Sequence, residues 1–379
     1  MVRAWTTAAL LGALVLAGCG GDGEGAKPPP PYAWSLPTGF PEPYVPEDNL
    51  MSVEKVELGR HLFYDKRLSG NGTMSCESCH EQARAFSDGK ATPVGSTGDP
   101  VARNAPGLAN VAYLGTYTWA NPLLETLEEQ VLVPLFNEHP TELGALELDE
   151  VLQRLRDDPK YPALFQAAFP GAADPVSKGS IVKALASFQR TLLSGSAPYD
   201  RYLQGDSAAL SPEAKRGMEL FFGERAECYH CHSGRHLSNS FRSKDSSFPN
   251  MQFFNTGLYD VDGRGAYPPD NTGLFEFTQQ ATDQGRFRVP QLRNVELTAP
   301  YMHDGSIPTL EAVIDHYMAG GRNVVEGPFA GDGRANPNKD PLVRPFELSE
   351  SERADLVAFL KSLTDLEFTR DARFANPWK

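Results

Sequence analysis

The chain has 379 residues, with 35 Lys+Arg against 49 Asp+Glu and a formal net charge of −14. That length suits two or three domains. The acidity sets aside a duplex nucleic-acid partner, whose phosphates are met by basic side chains that displace counterions. The 5 cysteines fall at Cys19, Cys76, Cys79, Cys228 and Cys231, and the motifs they occupy leave none for a disulfide framework.

Residues 1–18 read as an export signal. Arg3 supplies a positive start, Ala8 to Leu16 an apolar core, and Leu16-Ala17-Gly18-Cys19 a bacterial lipobox. The apolar run is too short to span a bilayer. Cys19 is expected to become a lipidated first residue, placing the chain on the periplasmic side of a Gram-negative bacterial membrane, held by lipid alone. Residues 19–50, rich in Gly and then in Pro, predict a flexible and then extended tether, with ordered structure from Met51.

Gly59-Arg60-His61-Leu62-Phe63 precedes the motif Cys76-Glu77-Ser78-Cys79-His80. Gly217-Met218-Glu219-Leu220-Phe221 precedes Cys228-Tyr229-His230-Cys231-His232. Each C-x-x-C-H is a haem c attachment signal: two thiols add across the haem vinyl groups and the histidine becomes the proximal iron ligand. Each G-x-x-L-F predicts a helix whose glycine admits a close neighbour. The weak repeat predicts an all-α fold of two cytochrome c-like domains, residues 51–205 and 206–379. Each domain carries one covalently bound haem c, with long loops and little β structure.

Further helical patterns run near 123–133, 147–157 and 176–194. Ser349 to Glu352 forms a capping box, and Leu356, Val357, Phe359, Leu360 and Leu363 recur at helical spacing behind it. Gly/Pro/Asn-rich loops fill 66–122 and 233–308, where the haems are expected to supply much of the core.

A haem carries electrons or does chemistry according to what stands opposite the histidine. For the His232 haem the sulfur candidates are Met251, Met302 and Met318. Met318 shares a helix face with Ile314 and Tyr317, whereas Met302 lies among turn formers in Ala299-Pro300-Tyr301-Met302-His303-Asp304-Gly305, so Met302 is the expected ligand. No His or Met occurs from 81 to 138, so the His80 haem is expected to be open. His139, the nearest downstream candidate, is expected to be a loop residue. Peroxide cleavage needs one group to hold the peroxide and one to move its proton. The segments Leu127 to Pro134 and Pro140 to Gly144 carry both kinds of residue. His230 is expected to be exposed. His61, His236 and His316 are expected at the surface or against propionates, and His303 is expected to brace its loop. Arg103 and Arg293 read as propionate contacts or solvated side chains.

Several runs carry a family resemblance: Leu58 to Ser69, Arg103-Asn104-Ala105-Pro106, Leu127-Glu128-Glu129-Gln130, Val289-Pro290-Gln291-Leu292-Arg293-Asn294 and Pro300 to Gly305. The chain resembles the bacterial di-haem cytochrome c peroxidases and their relative MauG over nearly everything after Met51. The resemblance implies hydrogen peroxide as oxidant, Gln130 as distal-pocket glutamine, Glu142 as catalytic acid/base and Trp119 as relay between the haems. It also implies a structural Ca2+ held by the Asn104 side chain and by carbonyls near Arg288 and Pro290. The chain departs from the pattern around Trp119, where Thr118-Trp119-Ala120-Asn121-Pro122 replaces the usual F/Y-W-D-G-R. It departs again at Glu138-His139, where two extra residues are inserted. It also lacks the histidine that caps the first haem in many family members. Ser69 to Thr73, Trp119 to Leu124, Glu138 to Gly144 and Asn255 to Tyr259 are most similar to the MbnH-like enzymes. In that group, high-valent haem formed with peroxide converts a tryptophan of a copper-binding partner to kynurenine. The alternatives are a conventional peroxidase fed by a small cytochrome c or cupredoxin, and a pure di-haem electron carrier.

Overall fold

The computed structural model describes Met1 and residues 32–379. The export signal, Cys19 and the first half of the expected tether lie outside the described residues.

Ten α-helices are formed among the described residues: α1 (Val53–Phe63), α2 (Leu127–Phe136), α3 (Leu148–Arg156), α4 (Tyr161–Ala168), α5 (Lys178–Arg190), α6 (Pro198–Leu203), α7 (Pro212–Phe221), α8 (Phe275–Thr278), α9 (Leu310–Met318) and α10 (Glu350–Lys361). Among the described residues, strand is confined to two antiparallel pairs, β1 (Phe253–Phe254) with β2 (Phe287–Arg288) and β3 (Asn323–Val324) with β4 (Gly331–Asp332). No described helix is long and apolar enough to cross a membrane.

The repeat in the sequence is a repeat in space. α1 packs on α5 and α7 on α10. A Cβ on Gly59 would drive into the Ala184 carbonyl of α5, and one on Gly217 would drive into the Asp355 carbonyl of α10. Only glycine lets these backbones touch. The α10 start is the expected capping box: Ser349 N donates to Glu352 Oε2 at 2.9 Å and Glu352 N to Ser349 Oγ at 3.3 Å. Two large apolar cores follow, one of residues between Leu58 and Leu192, the other between Tyr199 and Leu363. Phe368, Phe374 and Trp378 then return to the first core. A smaller cluster of Trp119, Leu258, Tyr259, Tyr267, Phe287 and Ile307 joins segments from both halves.

The tether expected over 19–50 is corrected in its described half. Residues 32–50 are packed. Phe40 is buried beside Tyr113, whose hydroxyl donates to the Pro41 carbonyl at 2.6 Å. Asn49 is fully buried and donates to Glu128 and to the Lys183 carbonyl. Proline richness makes the segment extended, as read, but single apolar and amide side chains pin it to the body. α4, α6 and α8 are helices that the sequence patterns do not announce. α4 is short and Pro-started, and its buried face of Tyr161, Phe165 and Ala168 is too brief for a periodic signal.

Candidate functional site

Each C-x-x-C-H folds as a tight 3-10 turn followed by its histidine, over Cys76–Ser78 and Cys228–His230. His80 N donates to Cys76 O at 3.0 Å and His232 N to Cys228 O at 2.9 Å, so each imidazole sits beside its two thiols. His80 Nδ1 donates to Phe86 O at 2.7 Å and His232 Nδ1 to Leu237 O at 3.0 Å. Phe86 and Leu237 have φ of 63° and 52°, a left-handed backbone that turns these carbonyls back onto the rings. With Nδ1 so committed, Nε2 keeps its lone pair, the tautomer an iron ligand needs. Burial lowers the pKa of both rings, His232 to about 4, and so keeps them neutral. The four thiols are unpaired, and burial pushes Cys76 up to about 12 and Cys79 to about 11. Such protonated thiols suit thioether formation and not thiolate catalysis. These residues therefore fit covalently held haem.

The repeat extends to a feature the sequence reading missed. Pro106-Gly107-Leu108-Ala109-Asn110-Val111 and Pro290-Gln291-Leu292-Arg293-Asn294-Val295 share the spacing P-x-L-x-N-V. Both asparagines are left-handed, with φ of 55° and 62°, and each starts a 3-10 turn. Asn110 Nδ2 donates to Ser194 O at 2.8 Å, and Asn294 Oδ1 accepts from Asp365 N at 2.8 Å. Each asparagine thereby ties its loop to the strand of chain that follows α5 or α10. Comparing the two halves with each other, beyond the cysteine motifs, carries this signal.

The second site is a largely apolar cavity. Cys228, Cys231 and His232 stand among its lining residues together with Met302, Trp119, Phe287 and Tyr317. Met302 has φ 73° in a loop closed by Tyr301 N donating to Ile307 O at 2.7 Å. Met318 packs against the second core and Met251 does not line the cavity. Trp119 is buried, its Nε1 donating to Asn104 O at 2.8 Å and its carbonyl accepting from Arg288 N at 2.8 Å. Asn104, Arg288 and Pro290 line the same cavity. Asn104 Nδ2 donates to Lys90 O at 2.8 Å. Burial lowers the Arg288 guanidinium to about 10.

Burial is the main cause of the raised pKa of Cys76 and Cys79, and the charge of Glu142 adds to it in both. Burial pushes Glu142 up to about 7. Its segment is pinned on both sides: Ser96 N donates to Glu142 O at 2.7 Å and Leu143 N to Pro134 O at 2.9 Å. Gln130 lies on α2 between spoken-for neighbours. Glu128 is paired with the buried Arg190 at 2.8 Å, and Glu129 closes the capping box with Thr126. Gln130's own amide makes no hydrogen bond among the described residues. His139 is exposed, as expected of a loop residue.

Several polar expectations are corrected. Arg293 is bound bidentately to Asp200 at 2.7 and 2.8 Å, both side chains buried, and Arg103 is held by Glu276 and by Asn271 at 3.1 Å. Neither is a freely solvated side chain, and each already has a protein carboxylate as acceptor. His236 and His316 are buried, not at the surface, and neither ring has a hydrogen-bond partner among the described residues. His236 stacks on Tyr113 at 4.4 Å. His61 is partly buried, its ring edge-on to Trp378 at 5.0 Å. His303 braces its loop by stacking on Phe287 at 3.7 Å and by its carbonyl, which accepts from Asn104 N at 2.8 Å, while its Nε2 has no partner among the described residues. His230 is exposed.

Residues 53–208 match the family model described as di-haem cytochrome c peroxidase. The chain is 38% identical over 320 residues to the methylamine utilization protein MauG of Methylorubrum extorquens, covering 84% of this chain and 80% of that one. It is 36% identical over 335 residues to cytochrome-c peroxidase IdrP1 of Pseudomonas sp. (strain SCT), covering 84% and 83%. A crystal structure of a MauG-like protein associated with microbial copper homeostasis superposes with TM-score 0.90 and 52% identity, over 92% of this chain and 100% of that one. The repeated helix pairs, the two cysteine–histidine turns and these likenesses together make the chain a member of the di-haem cytochrome c peroxidase and MauG family, a peroxidase with two haem c groups in cytochrome c-like domains.

Proposed function

We propose that this di-haem peroxidase uses hydrogen peroxide to oxidise a partner protein, with a tryptophan of a copper-binding protein, converted to kynurenine, as the target. Haem supplies a peroxide-binding iron in the first domain, residues 51–205, and an electron-carrying iron in the second, residues 206–379. Cys76, Cys79 and His80 hold the first haem. Cys228, Cys231, His232 and Met302 hold the second. Gln130 orients the peroxide through its free amide. Glu142 takes the proton from the inner oxygen and delivers it to the outer one, which leaves as water. Trp119 carries oxidising equivalents between the two sites. One Ca2+ is held by Asn104 with the carbonyls of Arg288 and Pro290. Lipid on Cys19 anchors the protein on the periplasmic side.

The observation that carries the proton-transfer assignment is Glu142: a carboxyl on a segment pinned by Ser96 and Pro134, whose pKa burial has moved to about 7, where it both accepts and donates a proton at neutral pH. The copper-binding partner is supported by the 52% identity to the MauG-like protein associated with copper homeostasis. The test is to add peroxide to the oxidised protein together with a small exported copper-binding protein that carries a surface tryptophan. Intact-mass and peptide analysis should find a modified tryptophan. An unmodified partner, with rapid oxidation of a reduced cytochrome c or cupredoxin instead, would favour the second reading. That reading, supported by the relatives named cytochrome-c peroxidase, is peroxide removal at the expense of a small redox protein.

A further inference from the structure

Three arginines are buried to the same depth, Arg190, Arg288 and Arg293, each 2–3% exposed. Arg190 is paired with Glu128 and Arg293 with Asp200. Arg288, on β2, has no carboxylate partner among the described residues. Its Nε donates to Thr118 O at 2.8 Å and its Nη1 to Val289 O at 3.2 Å. These carbonyls orient the guanidinium without neutralising it, and Nη2 makes no hydrogen bond among the described residues. An uncompensated buried charge is strongly unfavourable, so buried charges are found paired. Arg288 lines the cavity that also holds Cys228, Cys231, His232 and Met302. A haem held by those residues brings two carboxylates into the cavity.

We propose that Arg288 is the buried counter-charge of a propionate on the second haem, with Nη2 as the free donor. The residue is then a positioning clamp with two faces. One holds the propionate. The other holds the chain at Thr118 and Trp119, whose carbonyls accept from the Arg288 side chain and backbone. Arg103 and Arg293, which the sequence reads as propionate contacts or solvated side chains, are each paired with a protein carboxylate. Arg288 is the buried arginine left with a vacant charge-pairing role.

The inference rests on the second haem being attached at Cys228, Cys231 and His232. Haem content per chain in Cys228→Ala/Cys231→Ala reports that attachment separately: a variant that still holds two haems covalently would defeat the attachment and not the clamp. The clamp is tested in the full di-haem protein with Arg288→Gln and Arg288→Lys. The readouts are the propionate-bending modes in the resonance Raman spectrum of the low-spin haem and its midpoint potential. Arg288→Gln should shift one propionate mode and lower the potential, because a cation that disfavours the ferric haem is gone. Arg288→Lys should keep most of the potential but still shift the mode, since an ammonium cannot reproduce the guanidinium fork. A lowered potential with every propionate mode at its wild-type position in both variants would overturn the clamp, since it describes a charge acting only through space. If Arg288→Gln loses the second haem, the mode position in Arg288→Lys decides alone, and an unshifted mode overturns the proposal.

Discussion

Replacing Glu142 by Gln removes the proton carrier while keeping the shape of the side chain. Burial holds the native carboxyl at about 7, raised from an ordinary 4.5. A raised carboxyl is protonated below its pKa and a base above it, so the peroxide reaction should rise with pH and level off above neutrality. With a pKa of about 7, the basic fraction is about 9% at pH 6 and about 91% at pH 8, a rise of about tenfold. Had Glu142 an ordinary pKa, the rate over that range would be flat. The assay is stopped-flow mixing of the oxidised di-haem protein with peroxide, followed in the Soret band at a series of pH values. Glu142→Gln should slow the reaction by about 10²–10⁴-fold, the usual worth of a positioned acid/base, and abolish the pH dependence. Glu142→Asp should retain a sloped profile at reduced rate. Covalent haem content measured in each variant separates lost chemistry from lost assembly. A wild-type rate that is flat from about pH 6 to pH 8, or a Glu142→Gln rate within about threefold of wild type, would refute the role.

Met302→Ala should remove the thioether-to-iron absorption of the oxidised low-spin haem and lower its midpoint potential; an unchanged spectrum would move the ligand elsewhere. Trp119→Phe should leave the first spectral change after peroxide intact but slow the spread of oxidation to the second haem, and equal rates at both haems would count against the relay. Gly217→Ala forces a methyl into the Asp355 carbonyl and should destabilise the holoprotein by about 1–3 kcal/mol in urea unfolding, the usual cost of overpacking. Asp200→Asn strands the buried Arg293 charge and should cost about 3–5 kcal/mol, whereas a loss below about 0.5 kcal/mol would mean that the pair is solvated in solution.

The legible part of the molecule is the part that covalent chemistry and local periodicity write down. The Gly59 and Gly217 helices and the Ser349–Glu352 cap each need only neighbours in sequence, and all three form as read. Gln130 and Glu142 come from the resemblance alone, and the burial that raises the Glu142 carboxyl is set by chain that packs over it from elsewhere in the fold. The histidines and arginines were read poorly. Whether His236 is buried, or Arg293 meets a propionate or Asp200, depends on side chains tens of residues away.

By itself the sequence determined the haem chemistry and its duplication, because thioether attachment and helix amphipathicity are local properties of a short run of residues. Only the tertiary structure decided which charges are matched, that residues 32–50 are part of the body, and that Trp119, Asn104 and Arg288 meet at one cavity wall. The reason is physical. Burial and ion pairing are set by what the distant chain brings within a few ångströms, and no local pattern encodes that distance.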